Sequence, residues 1–336
     1  MLEHGSSPSS DSADGLALDK ARHLLAQYFP ATRLVEAPNL SRTTGKSVSL
    51  KLESDLPTGS FKVRGALYSL SINLARQAIE MVVASSTGNH GAAVAYAARL
   101  LGVPARIFLP ERCNPVKRER IAREGAQIVE RGRDIAEACE HARRECQERK
   151  GAFFLNDATD PDLPSATGLI GSEILEQNPR VEAVYVPVGD SALIRGVAAA
   201  VKAAAPAVKI IAVQTEQAPA YFRSWRCGTA VSTDTCVTIA DGLATRTTVP
   251  ASVAAIRQLV DDFVLVSERE MLAAIEMLLL EEHVLAEPAG AAATAALLKS
   301  AGDRPGKNVT LLVSGANIAP DVLRQALSES AGASRG

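Results

Sequence analysis

At 336 residues the chain is too long to be a small binding module, and its length favours two domains or one elaborated α/β domain. Hydrophobic residues at 47% and charged residues at 22% exclude a chain disordered throughout. Thirty-six basic against 38 acidic residues give a net charge of -2, so no global field draws the chain to nucleic acid or to an anionic membrane.

Aromatics are only 4% while small aliphatic residues abound, which suits helices packed on buried strands and not an aromatic nucleic-acid platform. In chain order, Met1 to Gly15 is rich in Ser, Asp and Gly and reads as a frayed tail without the basic start and apolar stretch of a signal peptide. Short β-branched runs then alternate with Ala/Leu/Arg/Glu segments, the pattern of β-α units on a mainly parallel sheet. Strands are predicted at Met81 to Ser85, Ala105 to Pro110, Gln127 to Glu130 and Ala152 to Asn156. Further strands are predicted at Ala183 to Val188, Lys209 to Gln214, Phe263 to Ser267 and Asn308 to Ser314. Apolar residues near helical spacing predict helices that include His90 to Leu101, Pro115 to Glu124, Asp134 to Lys150, Gly168 to Gln177, Leu193 to Ala205 and Met271 to Glu282.

The charged stretch Arg112 to Lys150 looks peripheral, and the apolar stretch Val181 to Val201 looks central. The expected organisation is therefore a small unit over residues 67–156 inserted into a larger one made of 16–66 and 157–327, with a second tail from Ser328 to Gly336. The sequence stops soon after its last helix, so no C-terminal effector domain is expected. Five cysteines with no Cys-x-x-Cys pair suggest neither a disulfide framework nor a zinc site, and a cytoplasmic location is expected. No apolar run is long enough for a membrane span.

In open α/β sheets, ligands gather where strand ends meet helix N-termini, because free N–H groups and the helix dipole favour anions there. Three strand ends carry fitting sequences: Ser86-Thr87-Gly88-Asn89-His90, Gly189-Asp190-Ser191-Ala192, and Ser314-Gly315-Ala316-Asn317. The first suits a carboxylate and the second a phosphate, although each alone also reads as an N-cap or a tight turn. Upstream, Lys62 lies between Phe61 and Val63 in a Gly- and Pro-containing loop. Partial desolvation there would lower its pKa and make it a nucleophile, and a solvated surface lysine is the alternative.

Taken together and in this order, the segments resemble the fold-type II pyridoxal-phosphate enzymes, within them the serine/threonine dehydratase and serine racemase branch. Ser60-Phe61-Lys62 resembles the Schiff-base lysine motif, Ser86 to His90 the substrate-carboxylate loop, and Ser314 to Asn317 the turn whose serine faces the pyridine nitrogen. Asn156, Thr238 to Leu243, and Glu287-Pro288-Ala289-Gly290 match as well, so the resemblance runs from Ala21 to Ala326. It implies a two-domain α/β fold like the tryptophan synthase β-subunit, with mainly parallel sheets flanked by helices. It also implies pyridoxal 5'-phosphate as cofactor, an amino-acid substrate and a homodimer.

The resemblance implies that Lys62 forms an imine with the cofactor and then serves as base for the α-proton. Phe61, Asn89, Glu287 and Ser314 would surround the ring, with Asn89 on its phenolic oxygen; Gly189, Asp190, Ser191, Ala192 and Leu193 would receive the phosphate. Ser86, Thr87, Asn89 and His90 would hold the substrate carboxylate. A serine, not an acid, opposite the ring nitrogen makes a weaker electron sink, which suits elimination.

Three departures stand out. Gly189, Asp190, Ser191 and Ala192 occupy the place of four successive glycines. Their N–H groups still serve a phosphate if the three replaced positions keep φ below zero, and Asp190 is expected to turn outward or cap the helix, since inward it would repel a dianion. Arg195, one turn on, either adds positive charge on that face or stays solvated. Gln214, Ala218 and Ala220 stand where some relatives hold a divalent cation, and Glu216 alone carries too little charge, so no metal is expected. Ala92 replaces a common glutamine, which widens or alters the pocket.

The expected function is a dehydratase (ammonia-lyase) that converts an L-serine- or L-threonine-like amino acid to a 2-oxo acid and ammonia. The alternatives are a dehydratase for another β-hydroxy amino acid (phenylserine, 3-hydroxyaspartate or a hydroxyectoine-derived one) and a noncatalytic pyridoxal-phosphate-binding paralogue. A racemase is the weaker option, because Thr87 suits the second acid/base role poorly.

Overall fold

Helix α1 (Ser10–Leu25), strand β1 (Leu34–Glu36), α2 (Pro38–Thr44) and β2 (Ser47–Leu52) lead into α3 (Lys62–Arg76). Next come β3 (Met81–Ser85), α4 (Asn89–Leu100), β4 (Ala105–Leu109), α5 (Pro115–Arg123), β5 (Gln127–Glu130), α6 (Ile135–Glu148) and β6 (Ala152–Phe154). The chain continues through α7 (Leu163–Gln177), β7 (Ala183–Pro187), α8 (Ala192–Ala204), β8 (Lys209–Thr215), α9 (Ala220–Cys227) and α10 (Pro250–Leu259). It ends with β9 (Asp262–Val266), α11 (Glu268–Leu280), α12 (Pro288–Lys299), β10 (Asn308–Val313) and α13 (Pro320–Ala333). This computed structural model describes residues 10–300 and 304–333.

Every predicted strand is present, with ends shifted by a residue or two. Two helices start earlier than the apolar spacing indicates, and each start carries its own signal. Pro164 opens α7, while Ser267 and Glu270 close a reciprocal capping box on α11. The expected tails are shorter than predicted: Ser10 to Gly15 belongs to α1 and Ser328 to Ala333 to α13, whereas residues 1–9 and 334–336 lie outside the described residues. Later residues of α1, Ala21 and Leu25, are buried in the core beside α3 and α4, so the helix propagates outward from a docked segment.

The strands form two sheets. Six strands in the order β1-β2-β10-β7-β8-β9 make the larger sheet, in which only the β1–β2 pair is antiparallel. Four parallel strands, β5-β4-β3-β6, make the smaller one from the segment between α3 and α7. Helices cover both faces of the larger sheet, with α11 and α12 packed on one side and α7, α8 and α10 on the other. That double cover is why β7 is buried along its whole length and reads as a continuous apolar run.

Strand β2, absent from the predicted set, reads Ser-Val-Ser-Leu-Lys-Leu, which looks like an exposed edge. Yet Lys51 is 0% exposed, because its ammonium donates to Glu173 Oε2 at 2.5 Å, Thr32 O at 2.8 Å and Gln177 Oε1 at 2.9 Å. The last strand, β10, inserts between β2 and β7 and so carries residues from the C-terminal end of the sequence into the middle of the sheet.

Helices α7 and α8 pack closest at Gly196. A Cβ there would lie 2.1 Å from Thr167 Oγ1, 2.4 Å from Pro164 O and 2.7 Å from Gly168 N, and two of those atoms are backbone. Gly196→Ala should therefore destabilise the protein by about 1 to 3 kcal/mol, read as a lower urea midpoint at unchanged slope. Lys20→Ala, on the exposed face of α1, should stay within about 0.5 kcal/mol of the parent.

Candidate active site

The loop before α3 is strapped to the end of β10. Phe61 N donates to Ser314 O at 3.0 Å, Ala316 N donates to Gly59 O at 2.9 Å, and Ser60 pairs with Gly315 as an antiparallel bridge. Lys62 is the first residue of α3, a helix start and not a mid-loop residue, and its side chain is 14% exposed. Its Nζ donates to Asp157 Oδ2 at 2.8 Å, lies 3.8 Å from Asp190 Oδ2, and sits 5.3 Å from the centroid of the Phe61 ring. Burial alone would lower the Lys62 pKa, as the sequence suggests, but Asp157, Asp190 and Glu287 outweigh it and the net shift is upward.

The expectation that Asp190 turns outward is overturned. Its carboxyl faces Lys62 and accepts a hydrogen bond from Thr245 Oγ1 at 3.4 Å. Burial, then the neighbouring Asp157 carboxylate, pushes Asp190 up to about 6. Asp157 moves the other way: burial opposes ionisation, but His90 and Lys62 hold its carboxyl well below the usual range. Asp157 was not among the sequence candidates. It is presented by a turn in which Asn156 Oδ1 accepts from Ala158 N and Thr159 N, both at 3.2 Å.

The second expectation overturned concerns the loop backbone. Ser191 has φ of 78°, the left-handed region that glycine adopts without strain, because the chain must reverse sharply from Asp190 into α8. Gly189 keeps the one position where no side chain fits, since a Cβ would lie 2.0 Å from Gly242 O. Ala192 and Leu193 are buried in the first turn of α8. Ser191 Oγ and Arg195 Nε are both buried with no hydrogen-bond partner. Arg195 is half-buried and burial lowers its pKa, so it is not a solvated helix residue, and it forms no ion pair with Asp190.

Across from this helix start, Asn89 Nδ2 donates to Glu287 Oε1 at 2.7 Å while Asn89 Oδ1 accepts from Asn317 Nδ2 at 2.7 Å. Asn317 Nδ2 also donates to Thr58 O at 2.8 Å, which ties the Lys62 loop, the α4 start and the β10 end into one network. His90 is buried in the first turn of α4, with Nε2 3.1 Å from Leu155 O and Nδ1 3.9 Å from Asp157 Oδ2. Gly88, not His90, is the N-cap, and its N–H donates to Ser86 Oγ at 3.3 Å. Ser86 and Thr87 are half-buried at the same helix start, and Ser314 is 4% exposed at the end of β10. Ala92 is enclosed one turn further along α4.

Helix α5 closes one side, with Lys117 paired to Asp241 and Ile121 lying beside Gly91. Arg120, between those two, is half-buried and was not foreseen. Gln214 is fully buried with Oε1 accepting from Phe222 N at 3.1 Å, and Ala218 and Ala220 are enclosed. Among the described residues no group of three or more His, Cys, Asp or Glu is arranged to hold a metal ion.

The model of the pyridoxal-phosphate dependent enzyme family matches residues 25–315. The chain belongs to that family. It is 39% identical over 301 residues to an L-threonine ammonia-lyase of Thermotoga maritima, covering 90% of this chain and 75% of the relative. It is 31% identical to a serine racemase of Oryza sativa subsp. indica, covering 94% of each. The processed form of threonine deaminase isoform 2 from Solanum lycopersicum superposes with a TM-score of 0.89 at 28% identity, covering 98% of this chain and 96% of that one. The two-sheet α/β architecture is thus that of the fold-type II pyridoxal-phosphate enzymes, in the serine/threonine dehydratase and serine racemase branch.

The site's own chemistry fits pyridoxal phosphate. An amine for the aldehyde stands at Lys62; an orphaned hydroxyl and an unpaired guanidinium stand in the first turn of α8, where a phosphate is stabilised; and Ser60 Oγ and Thr58 Oγ1 are buried without partners beside the lysine.

Burial pushes Glu287 up to about 7, against the Asn89 hydrogen bond and Arg120, which pull it down. A carboxyl with a raised folded-state pKa binds its proton more tightly when folded. Its contribution is complete below the unfolded value and is lost as pH rises through the folded one. Glu287 and Asp190 share this sign, so the melting temperature of the cofactor-free protein should fall as pH rises from the ordinary carboxylate range to above 7, and Glu287→Gln should flatten the decline. Ser191→Gly should relieve backbone strain and stabilise the cofactor-free protein by about 1 kcal/mol. The same variant should weaken cofactor binding by about 1.5 to 3 kcal/mol, the worth of one hydrogen bond to a charged group. Thermal unfolding and a cofactor titration separate the two effects.

Proposed function

We propose that the chain is an ammonia-lyase that eliminates water from a β-hydroxy amino acid of the L-serine/L-threonine type, giving a 2-oxo acid and ammonia. The observation that carries this reading is the position of Lys62. Its Nζ stands 2.8 Å from Asp157, whose carboxylate lies 3.9 Å from His90 in the carboxylate loop, and 3.8 Å from Asp190 before the α8 start. A lysine between an anion site for the substrate and one for the cofactor is placed to act on the α-carbon that joins the substrate's carboxylate and amino groups.

When bound, pyridoxal phosphate supplies an aldehyde for amino groups and a ring that accepts the electron pair left by the α-hydrogen. The chain supplies the rest. Ser191, Arg195 and the free N–H groups of α8 would receive the phosphate. Ser314, a hydroxyl at the end of β10, would serve the ring nitrogen without donating a full charge, which would favour loss of the β-substituent. Ser86, Thr87, Asn89 and His90, at the N-terminus of α4, orient the substrate carboxylate, and Lys62 Nζ takes the α-hydrogen.

A panel of β-hydroxy amino acids, with ammonia and 2-oxo acid both quantified, tests the reading. Equal amounts of the two products from L-serine or L-threonine are expected. A sample that binds the cofactor but releases neither product from any member would overturn it. Activity should also survive chelation, because a neutral Gln214 amide and the methyl group of Ala220 offer a divalent cation no charge. Collapse on chelation with recovery on adding magnesium would contradict that.

A further inference from the structure

The roles above leave two half-buried carboxyls beside the lysine unassigned. Asp157, just beyond β6, and Asp190, just before α8, come from separate elements yet meet at one ammonium, with Lys62 Nζ 2.8 Å from the first and 3.8 Å from the second. The other titratable groups that face them are His90 from α4, whose Nδ1 lies 3.9 Å from Asp157, and Glu287 at the start of α12, which acts on Lys62. Each carboxyl shifts the other, Asp157 held well below the usual range and Asp190 pushed up to about 6, so Asp190 is the one of the two that keeps a proton more readily. Asp190 also stands where a phosphate must be received. An ionised carboxylate would oppose that anion, whereas a protonated one would not, and a dianion nearby further favours the protonated form.

We infer that Asp190 is the acid that protonates the departing β-hydroxyl, and that it regains from Lys62 the proton that the lysine takes from the α-carbon, while the ionised Asp157 holds the Lys62 ammonium in place. The inference rests on the reading of the site as an eliminating one. Lys62 Nζ removes the α-hydrogen, and the electron pair of that C–H bond becomes the second bond between Cα and Cβ. The Cβ–O bond breaks with its pair on oxygen, which takes the Asp190 proton and leaves as water. The Lys62 ammonium, 3.8 Å from Asp190, then returns its proton to that carboxylate, which leaves the lysine as the amine and Asp190 as the acid. The hydrogen and hydroxyl lost by the substrate make one water, and no oxidant or reductant is needed.

L-Serine and β-chloro-L-alanine differ only in the leaving atom, and chloride departs without a proton. Asp190→Asn keeps the shape and removes the acid. The test compares kcat/KM for the two compounds in the parent and in the variant, each loaded with pyridoxal phosphate. A separate absorbance titration of the cofactor-free proteins gives the cofactor Kd. The hydroxyl-to-chloride ratio of kcat/KM should fall by roughly 100-fold or more in the variant, with a cofactor Kd no weaker than the parent's. Equal losses on both compounds would overturn the inference and make Asp190 a positioning residue of the loop, as would a loss that follows a weakened Kd. A parent inactive on both compounds would overturn the reading of the site and the inference with it.

Discussion

Arg64 fixes where Lys62 can be. Its guanidinium is enclosed between Glu53, at 2.7 Å, and Glu173, at 2.6 Å, with Thr32 Oγ1 beside them. Glu53 follows β2 and Glu173 belongs to α7, so one side chain ties the first turn of α3 to two elements of the larger unit. Residues two apart on a helix point to opposite sides. With Arg64 locked into the interior, Lys62 is turned the other way, toward Asp157 and the end of β10. Removing one partner from such a buried set leaves an uncompensated charge and costs about 3 to 5 kcal/mol, so the clamp cannot loosen without loss of the fold around it.

Lys51 is fully buried and Lys62 is half-buried, and the contrast between them separates structure from chemistry. Lys51 has the lowered pKa usually sought in a nucleophile, yet its ammonium is fully buried among three acceptors. Lys62 has a raised pKa and keeps an opening toward the site. Geometry decides which lysine can react. The acids around Lys62 hold it as an ammonium in the cofactor-free protein, and attaching the cofactor must displace that proton, for which the nearby Asp190 carboxyl, with its raised pKa, is the suited acceptor.

The alternation of apolar strands and helices made the α/β fold legible, since buried parallel strands such as β7 cannot be mistaken for half-exposed ones. Strands β1 and β2 were hidden because a lysine and two serines in β2 disguise burial that only long-range partners make tolerable. The site was legible where it rests on local motifs at strand ends: Lys62, Asn89, the α8 start and Ser314 converge as their order suggested. Asp157, Arg120 and the inward turn of Asp190 were not. Each depends on which segment faces which across the junction of the two sheets, and no spacing within a segment records that. The left-handed Ser191 shows the same limit in the backbone, where a serine takes a turn conformation that glycine suits better.

The central claim is that Lys62, and no other lysine, is the point at which the cofactor joins the chain. Borohydride reduction of the cofactor-loaded protein, followed by peptide mapping, tests it directly. The pyridoxyl group should appear on the peptide that carries Lys62 and on no other. A pyridoxyl group on Lys51, Lys117 or any lysine outside α3 would contradict the account.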